Sequence, residues 1–216
     1  MSHIRTDTAT RHGAVLFTDL VGFTEFTDAQ GDTAAVEVLD EQSTIARDAL
    51  AGGVGQVVKE LGDGLMLWFD HPTQGLQAAG GILRAIETAR SERGFPLSLR
   101  MGMHCGEVVE RGADFVGQAV NIAARIADLA GPGELLVSEQ VVDALDGGPP
   151  TAAFWPVGPT RVKGVTAPIW LYRLAILDEW AAAGDLTLEE LVAHIVIHEL
   201  GHHFGWSDEE IDAINE

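Results

Sequence analysis

The feature that most constrains the fold of this 216-residue chain is a glycine turn between two apolar runs. Residues 62–64, Gly-Asp-Gly, separate residues 54–61 from residues 65–69, a pattern that is typical of a β-hairpin. Apolar residues predict another buried strand at 14–20, and helical spacing predicts a long helix over about 25–51. A strand and a helix therefore precede the hairpin.

After the hairpin, the pattern predicts a helix that starts at His71-Pro72 and runs to about Arg90. The order strand, helix, two strands, helix, strand is that of the ferredoxin-like βαββαβ arrangement, so we expect an α/β (α+β) fold with this core. Periodicity near the C-terminus predicts a small helical appendage. The further predicted elements are a strand pair at 97–104 and 106–110, a helix at 117–130, a strand at 134–138, a helix at 139–145, a loop at 147–159, a last strand at 167–175 and helices at 187–204 and 207–215.

The charge balance excludes some classes of function. With 33 acidic and 13 basic residues, the net charge is −20, which argues against a nucleic-acid-binding protein because such proteins need a basic face. The chain has no apolar run long enough to span a membrane, and its N-terminus lacks a secretory signal. A single cysteine, Cys105, fits a buried position in a reducing compartment, so we expect a cytoplasmic protein.

Two aspartates stand where predicted strands end. Asp19 closes the first strand and Asp63 lies in the hairpin turn; in a ferredoxin-like sheet these strands are neighbours, so both carboxylates can face one point. Hard cations such as Mg²⁺ take one or two carboxylates together with phosphates. Either aspartate alone is more often a turn residue. The backbone amides of the turn after Asp19 suit a phosphate at a helix N-terminus, and the residues there are Gly22, Phe23 and Thr24.

Four motifs resemble the catalytic domain of class III adenylate and guanylate cyclases. FTDLVGFT resembles their first metal motif, VVKELGDGLMLWF their second, and DFVGQAVNIAARIADLAGPGELLVS their transition-state segment. VKGVTAPIWLYRL resembles their closing strand. The motifs occur in the family's order and spacing, so we expect a cyclase domain over residues 12–175.

The resemblance implies catalytic roles. Asp19 and Asp63 would hold two Mg²⁺ or Mn²⁺ ions per site, with the backbone carbonyl of Leu20 as a further ligand. Asn121 would orient the ribose, and Arg125 would stabilise the charge that develops on the α-phosphate. Asn121 and Arg125 are four residues apart, so they share one face of a helix.

The resemblance also implies how the substrate is recognised. Lys59 and Asp114 occupy the purine-reading positions, where a lysine donates to adenine N1 and an aspartate accepts from the adenine amino group. This pair favours ATP over GTP, because guanine presents the opposite pattern. Lys163 matches a lysine that contacts the terminal phosphates. Because the family divides these residues between two subunits, we expect a homodimer with two equal sites.

A second motif lies in the C-terminal segment. The spacing HExxHxxGxxD places His198 and His202 on one helical face, with Glu199 between them as a possible general base. Asp208 is a candidate third ligand for Zn²⁺, and Gly205 allows the chain to turn.

Residues 166–216 resemble the C-terminal half of the minimal zincin-like metallopeptidases. The N-terminal portion of that family has no counterpart here, since a cyclase-like segment takes its place. We therefore expect a second unit at 176–216, with the strand at about 167–175 shared by both units. Three interpretations remain open: a zinc-binding appendage, a zinc metallopeptidase that carries the function, or a segment without metal.

Overall fold

The computed structural model describes residues 9–145, 154–162, 165 and 168–174. Its strands are β1 (Thr10–Val21), β2 (Gln56–Leu61), β3 (Gly64–Phe69), β4 (Ser98–Arg111), β5 (Asp114–Val116), β6 (Leu135–Ser138), β7 (Phe154–Thr160) and β8 (Ile169–Leu174). Its helices are α1 (Phe23–Gln30), α2 (Asp32–Ala49), α3 (Pro72–Arg93), α4 (Gln118–Leu129) and α5 (Glu139–Asp143). None of these helices combines the length and apolar character needed to cross a lipid bilayer.

The strands of the described residues form one eight-stranded sheet in the order β2-β3-β1-β4-β6-β8-β7, and β5 pairs with β4. The first four strands pair antiparallel, whereas β4 and β6 run parallel. Together with the helices α1–α3, these four strands form the βαββαβ core that the element order predicts. The ferredoxin-like expectation for the core is therefore confirmed.

The two faces of the sheet bury different helices, because alternate residues of each strand point to opposite faces. Leu16 and Leu67 belong to the large cluster that packs against α2 and α3. Val15 and Trp68 belong to a second cluster, which packs against α4. Cys105 is buried in the first cluster, and burial raises the pKa of its thiol. The helix that carries Asn121 and Arg125 thus covers the face opposite α2 and α3.

The predicted helix over about 25–51 is two helices in the structure. Gly31 separates α1 from α2 with φ 85° and ψ 166°, a conformation that interrupts the helical hydrogen bonding. Helical periodicity continues on both sides of this glycine, so the apolar pattern alone does not reveal the break.

Two strand predictions also differ from the structure. The pair predicted at 97–104 and 106–110 is the single strand β4, because Gly106 stays extended opposite Gly13 of β1. The predicted loop at 147–159 contains β7, which tolerates prolines because it pairs only with β8 at the edge of the sheet. The predicted shared strand corresponds to β8, and the predicted helices at 187–204 and 207–215 lie outside the described residues.

Candidate active site

The sheet brings the two predicted metal aspartates together. Antiparallel pairing of β1 with β3 puts Asp19 opposite Gly64, next to Asp63 in the hairpin turn. The backbone N–H of Leu20 donates to the carbonyl of Asp63 at 3.3 Å. Burial raises the pKa of Asp63, and the neighbouring negative charge of Asp19 raises it further. The two neighbouring carboxylates therefore concentrate negative charge where β1 ends and the hairpin turns.

Close backbone packing holds the hairpin against β1. A Cβ atom on Gly64 would lie 2.4 Å from the carbonyl oxygen of Thr18, so no larger residue fits beside Asp63 without a shift. The Thr18 hydroxyl accepts hydrogen bonds from the backbone N–H of Leu65 at 3.1 Å and from the Gln42 amide at 3.2 Å. Thr18 and Gln42 are buried, so this network ties β1, β3 and α2 together behind the carboxylates.

An arginine that the sequence did not single out joins the pair. Arg100 lies opposite Asp19 in the β1–β4 register, and its Nε donates to Asp19 Oδ2 at 2.6 Å. Each of the two side chains is 29% exposed. Nη1 of Arg100 also donates to the carbonyl of Asp128 at 3.3 Å. Arg100 therefore offsets part of the negative charge at this point and links it to the end of α4.

The predicted phosphate-binding turn leads directly into a helix. Strand β1 ends at Val21, Gly22 adopts a left-handed conformation with φ 81°, and α1 begins at Phe23. The first backbone amides of a helix have no partner within the helix, which makes such an N-terminus suited to an anion. Phe23 and Thr24 thus stand in the first turn of a helix that starts two residues after the carboxylate strand ends.

The donors at this end of the sheet fit a hard divalent cation. The two aspartates and the carbonyl of Leu20 offer oxygen donors, the ligand type that Mg²⁺ and Mn²⁺ prefer, and Mg²⁺ commonly completes its shell with water and substrate phosphates. Within the described part of the chain, no group of three or more His, Cys, Asp or Glu side chains could by itself hold a metal ion. Two carboxylates and one carbonyl leave room in such a shell for phosphate oxygens of a bound ligand.

The two predicted purine-reading residues form an ion pair. Lys59 Nζ donates to Asp114 Oδ2 at 2.8 Å, and the side chains are 34% and 40% exposed. The other oxygen of Asp114 accepts from the backbone N–H of Phe115 at 2.8 Å. A β-bulge between Val57 and Lys59 shifts the register of β2 just before the lysine, and bulges commonly re-aim side chains in this way.

The predicted Asn121 and Arg125 line a cavity along α4. It has a volume of about 750 Å³, and its described lining residues are Gln118, Asn121, Ile122, Ala124, Arg125, Asp128 and Val165. Neither Asp19 nor Asp63 is among them. The structure thus brings Asn121 and Arg125 together on one helical face, and the described lining of their cavity does not include the two predicted metal-binding aspartates.

Close packing sets the position of α4 on the sheet. A Cβ atom on Gly102 would lie 2.0 Å from the backbone nitrogen of Ala127, so the helix rests directly on β4. Beneath the same helix, the buried His104 pairs through Nδ1 with Ser138 Oγ at 2.8 Å. Burial lowers the pKa of His104 to about 4, so this imidazole is neutral at pH 7.

The remaining predicted site residues lie outside the described residues. They are Lys163 of the cyclase-like segment and His198, Glu199, His202 and Asp208 of the C-terminal motif. Arg100, Gln42 and Asp128 are the neighbours that sequence reasoning missed. Arg100 can be recognised as a neighbour of Asp19 only once the register of β1 with β4 is known, because the two residues are 81 positions apart in the chain.

Two family models match the chain. The model of the adenylate and guanylate cyclase catalytic domain matches residues 7–175. The model of the zincin-like metallopeptidases matches residues 139–216, so the two matches overlap at the closing strands of the sheet.

Individual relatives and solved structures agree with the first match. A pH-sensitive adenylate cyclase of Mycobacterium tuberculosis is 32% identical over 166 residues, which cover 76% of this chain and 41% of the relative. A crystal structure of an adenylate/guanylate cyclase/hydrolase from Silicibacter pomeroyi has a TM-score of 0.64 at 27% identity, covering 79% of this chain and 99% of that one. The adenylyl cyclase CyaB from P. aeruginosa has a TM-score of 0.68 at 20% identity, covering 79% and 96%.

The chain spans about two fifths of the length of the curated relatives that it matches. The match of the family model over residues 7–175 covers most of the chain, and the fold agrees with it. The protein belongs to the family of adenylate and guanylate cyclase catalytic domains.

Proposed function

We propose that this protein is an adenylate cyclase, which converts ATP to 3′,5′-cyclic AMP and pyrophosphate at the interface of a homodimer. The observation that carries the choice of ATP is the ion pair between Lys59 and Asp114 at 2.8 Å. The name of the relative in Mycobacterium tuberculosis, a pH-sensitive adenylate cyclase, supports the same substrate.

The Lys59–Asp114 pair suits adenine because it combines a hydrogen-bond donor with a hydrogen-bond acceptor. Lys59 has two further N–H groups that can donate to adenine N1, and Asp114 keeps acceptor capacity for the exocyclic amino group. Guanine presents an acceptor where adenine has this amino group, so its carbonyl would face the carboxylate. A site built on such hydrogen bonds rejects the wrong base strongly, because the polar groups of the site are left unpaired.

Asp19 near the end of β1 and Asp63 in the adjacent hairpin turn, together called the carboxylate end of β1, support the metal-dependent part of the reaction. When divalent ions are bound there, they lower the pKa of the ribose 3′-hydroxyl and neutralise charge on the leaving phosphates. Asp19 and Asp63 would hold the ions, and Arg100 orients the Asp19 carboxylate through its hydrogen bond at 2.6 Å. The amides of the first turn of α1 bind phosphate oxygens of the substrate.

The α4 cavity supplies the rest of the site from the second subunit. Asn121 orients the ribose for in-line attack of the 3′-oxygen on the α-phosphorus, and Arg125 stabilises the charge that develops on the α-phosphate. The proposal of a twofold dimer is supported by the described lining of this cavity, which contains Arg125 but neither Asp19 nor Asp63. Each protomer then contributes to both active sites.

The decisive experiment measures cyclic nucleotide formation by the purified chain with Mg²⁺ or Mn²⁺, with ATP and GTP in parallel. We expect cyclic AMP from ATP, little cyclic GMP, and a specific activity that rises with protein concentration as dimers form. No product from either nucleotide in a folded, metal-loaded dimer would refute the proposal. Comparable turnover of GTP would refute the purine assignment alone.

The C-terminal segment supports a second candidate function, as a zinc-binding or zinc metallopeptidase protein. The observation in its favour is the match of the zincin-like model to residues 139–216, which contains HExxHxxGxxD. His198, His202 and Asp208 are the proposed Zn²⁺ ligands, with Glu199 as the general base. Bound zinc that is lost in His198→Ala supports this candidate, and peptidase activity must disappear in Glu199→Ala while cyclic AMP formation persists.

A further inference from the structure

A second cavity lies next to the one that contains Asn121. It has a volume of about 230 Å³, and its described lining residues are Arg125, Asp128, Leu129, Arg161 and Val162. Arg125 and Asp128 line both cavities, so the two are neighbours along the same side of α4. Arg161 therefore faces a space that Arg125 also faces.

The backbone beside Arg161 is anchored against α4. Val162 is 4% exposed and belongs to a buried cluster that includes Ile122 and Ile126 of this helix. The backbone N–H of Val165 donates to the carbonyl of Val162 at 3.1 Å, which further fixes the backbone of Val162. Because Val162 is held in the core, the exposed side chain of Arg161 stays close to the α4 cavities.

The described lining of the two cavities carries more positive than negative charge. Acidic residues outnumber basic ones by 33 to 13, and most described arginines pair with a carboxylate. Within the described residues, no carboxylate lies within ion-pair distance of Arg161. Arg125 contacts Asp128 only at 3.5 Å, and both side chains are about half exposed. Two guanidinium groups and one carboxylate thus give this pair of cavities a local excess of positive charge.

We propose that Arg161 is a further substrate-binding residue, which forms with Arg125 a subsite for the polyphosphate of the nucleotide and of the pyrophosphate product. The proposal rests on the proposed cyclase function, since it places a triphosphate beside Arg125. A guanidinium presents a planar fork of N–H donors that matches phosphate oxygens, and it remains charged at any working pH. Asp128 opposes the same ligand because its carboxylate repels phosphate at the rim of both cavities.

Calorimetric titration of the full chain with inorganic tripolyphosphate tests this subsite without turnover. The buffer contains EDTA and low salt, so binding reports on the arginines and not on metal ions. We expect Arg161→Gln to weaken binding about tenfold, which corresponds to the loss of one charge-assisted hydrogen bond. Asp128→Asn should strengthen binding several-fold, and Arg125→Ala should weaken it.

Arg84→Gln is the matched control, because Arg84 is also exposed and lies on α3, which packs on the opposite face of the sheet. It removes the same charge and should leave tripolyphosphate affinity unchanged. An unchanged affinity in Arg161→Gln, or an equal loss in Arg84→Gln, would overturn the inference. Wild-type protein that binds no tripolyphosphate overturns it as well.

Enzyme kinetics extend the test and separate it from the proposed function. In Arg161→Gln the KM for ATP and the inhibition constant of pyrophosphate should rise together, while kcat changes less than in Arg125→Ala. Arg161-dependent binding of tripolyphosphate without any cyclic AMP formation would refute the cyclase proposal and leave the anion subsite in place. Cyclic AMP formation with unchanged KM and pyrophosphate inhibition in Arg161→Gln would refute the subsite alone.

Discussion

The carboxylate end of β1 and the cavity along α4 differ in how far a single chain organises their side chains. At the carboxylate end, Asp19 and Arg100 are each 29% exposed and are joined at 2.6 Å, in front of the buried hydroxyl of Thr18. Along α4, Arg125 is 49% exposed, and its contact with Asp128 is 3.5 Å long. An exposed pair at that distance contributes about 0–1 kcal/mol, so it holds the guanidinium weakly.

This difference indicates that the two regions have different roles in the proposed dimer. In that proposal, buried hydrogen bonds and backbone contacts around Asp19 and Asp63 preorganise the half-site that is proposed to receive metal ions. The other half-site presents charged groups on an exposed helical face, where substrate and partner subunit must order them. In each active site a preorganised half from one protomer then meets an adaptable half from the other.

The largest expected effect is the loss of activity when either half-site is disabled, and its recovery when the two defects are combined. Asp63→Ala removes a metal ligand and Arg125→Ala removes the charge stabiliser, so each homodimer should show only background activity. An equimolar mixture should recover about one quarter of wild-type activity, because half of the dimers are mixed and each has one intact site.

Cyclic AMP formation by the mixed sample checks this prediction, once the folded dimers have exchanged subunits. A mixture of Asp19→Ala and Asp63→Ala serves as the control, since both substitutions lie in the same half-site and no intact site can form. Recovery in the control mixture, or none in the test mixture, would contradict the assignment of the half-sites to different protomers.

Arg125→Ala should separate catalysis from metal binding. We expect kcat to fall by about 10²–10³-fold, because this group acts on charge that develops in the transition state. The affinity for Mn²⁺ should stay unchanged, because Asp19 and Asp63 are held by other contacts. Electron paramagnetic resonance of free Mn²⁺ during titration measures this affinity. Loss of Mn²⁺ binding in this variant would show that the two half-sites are not independent.

His104 should make the fold beneath α4 sensitive to acid. Its folded-state pKa of about 4 lies below the ordinary value of 6.5, so the unfolded chain binds the proton first as pH falls. The contribution of neutral His104 is therefore present above pH 6.5 and is lost as pH falls towards 4, by about 3 kcal/mol in total. Urea unfolding between pH 8 and pH 4.5 measures this loss.

His104→Gln is the matched variant, because glutamine can still pair with Ser138 but does not titrate. Its unfolding free energy should depend less on pH over this window than that of the wild type. Equal pH dependence of the two proteins would show that the imidazole does not stay neutral beneath α4.

Gly102→Ala should displace α4, whereas Asp19 and Asp63 lie on β1 and in the hairpin turn and keep their backbone contacts. The added Cβ would meet the Ala127 nitrogen at 2.0 Å, so the helix must shift, at a cost of about 1–3 kcal/mol in unfolding free energy. Because the shift moves Arg125, kcat should fall while Mn²⁺ affinity persists. Gly81→Ala is the control, since its nearest neighbour would lie 4.0 Å away. Thermal unfolding and turnover of both variants check this prediction, and equal behaviour of the two would contradict it.

Much of the core was predictable because local patterns specify it. Apolar runs around the glycine turn predicted β2 and β3, and helical spacing predicted α3, close to their observed bounds. Strand β1 was also predicted, but it begins at Thr10, four residues before the predicted start. The helix break at Gly31 and the uninterrupted course of β4 were not predicted. At both positions glycine can either continue or interrupt the regular backbone conformation, and only the surrounding tertiary contacts select one of the two.

The candidate site likewise contains residues that local patterns predict and residues that they do not. Asp19 and Asp63 could be predicted because each stands at a strand end within a recognisable motif, and the structure brings them together. Arg100 could not be predicted, because it lies 81 residues from Asp19 in the chain and their contact depends on the register between β1 and β4. Gln42 was missed for a similar reason, since a polar residue on a helix indicates a solvated face unless the helix is known to pack on Thr18.

The sequence by itself determined the order of the elements, the types of the reacting groups and the motifs that contain them, because strand alternation, helical spacing and turn residues are local properties. The tertiary structure alone decided which groups meet. Register paired Arg100 with Asp19, a bulge preceded the lysine that meets Asp114, and the anchoring of Val162 placed Arg161 beside Arg125. These contacts depend on packing between distant segments, and no local pattern along the chain encodes that packing.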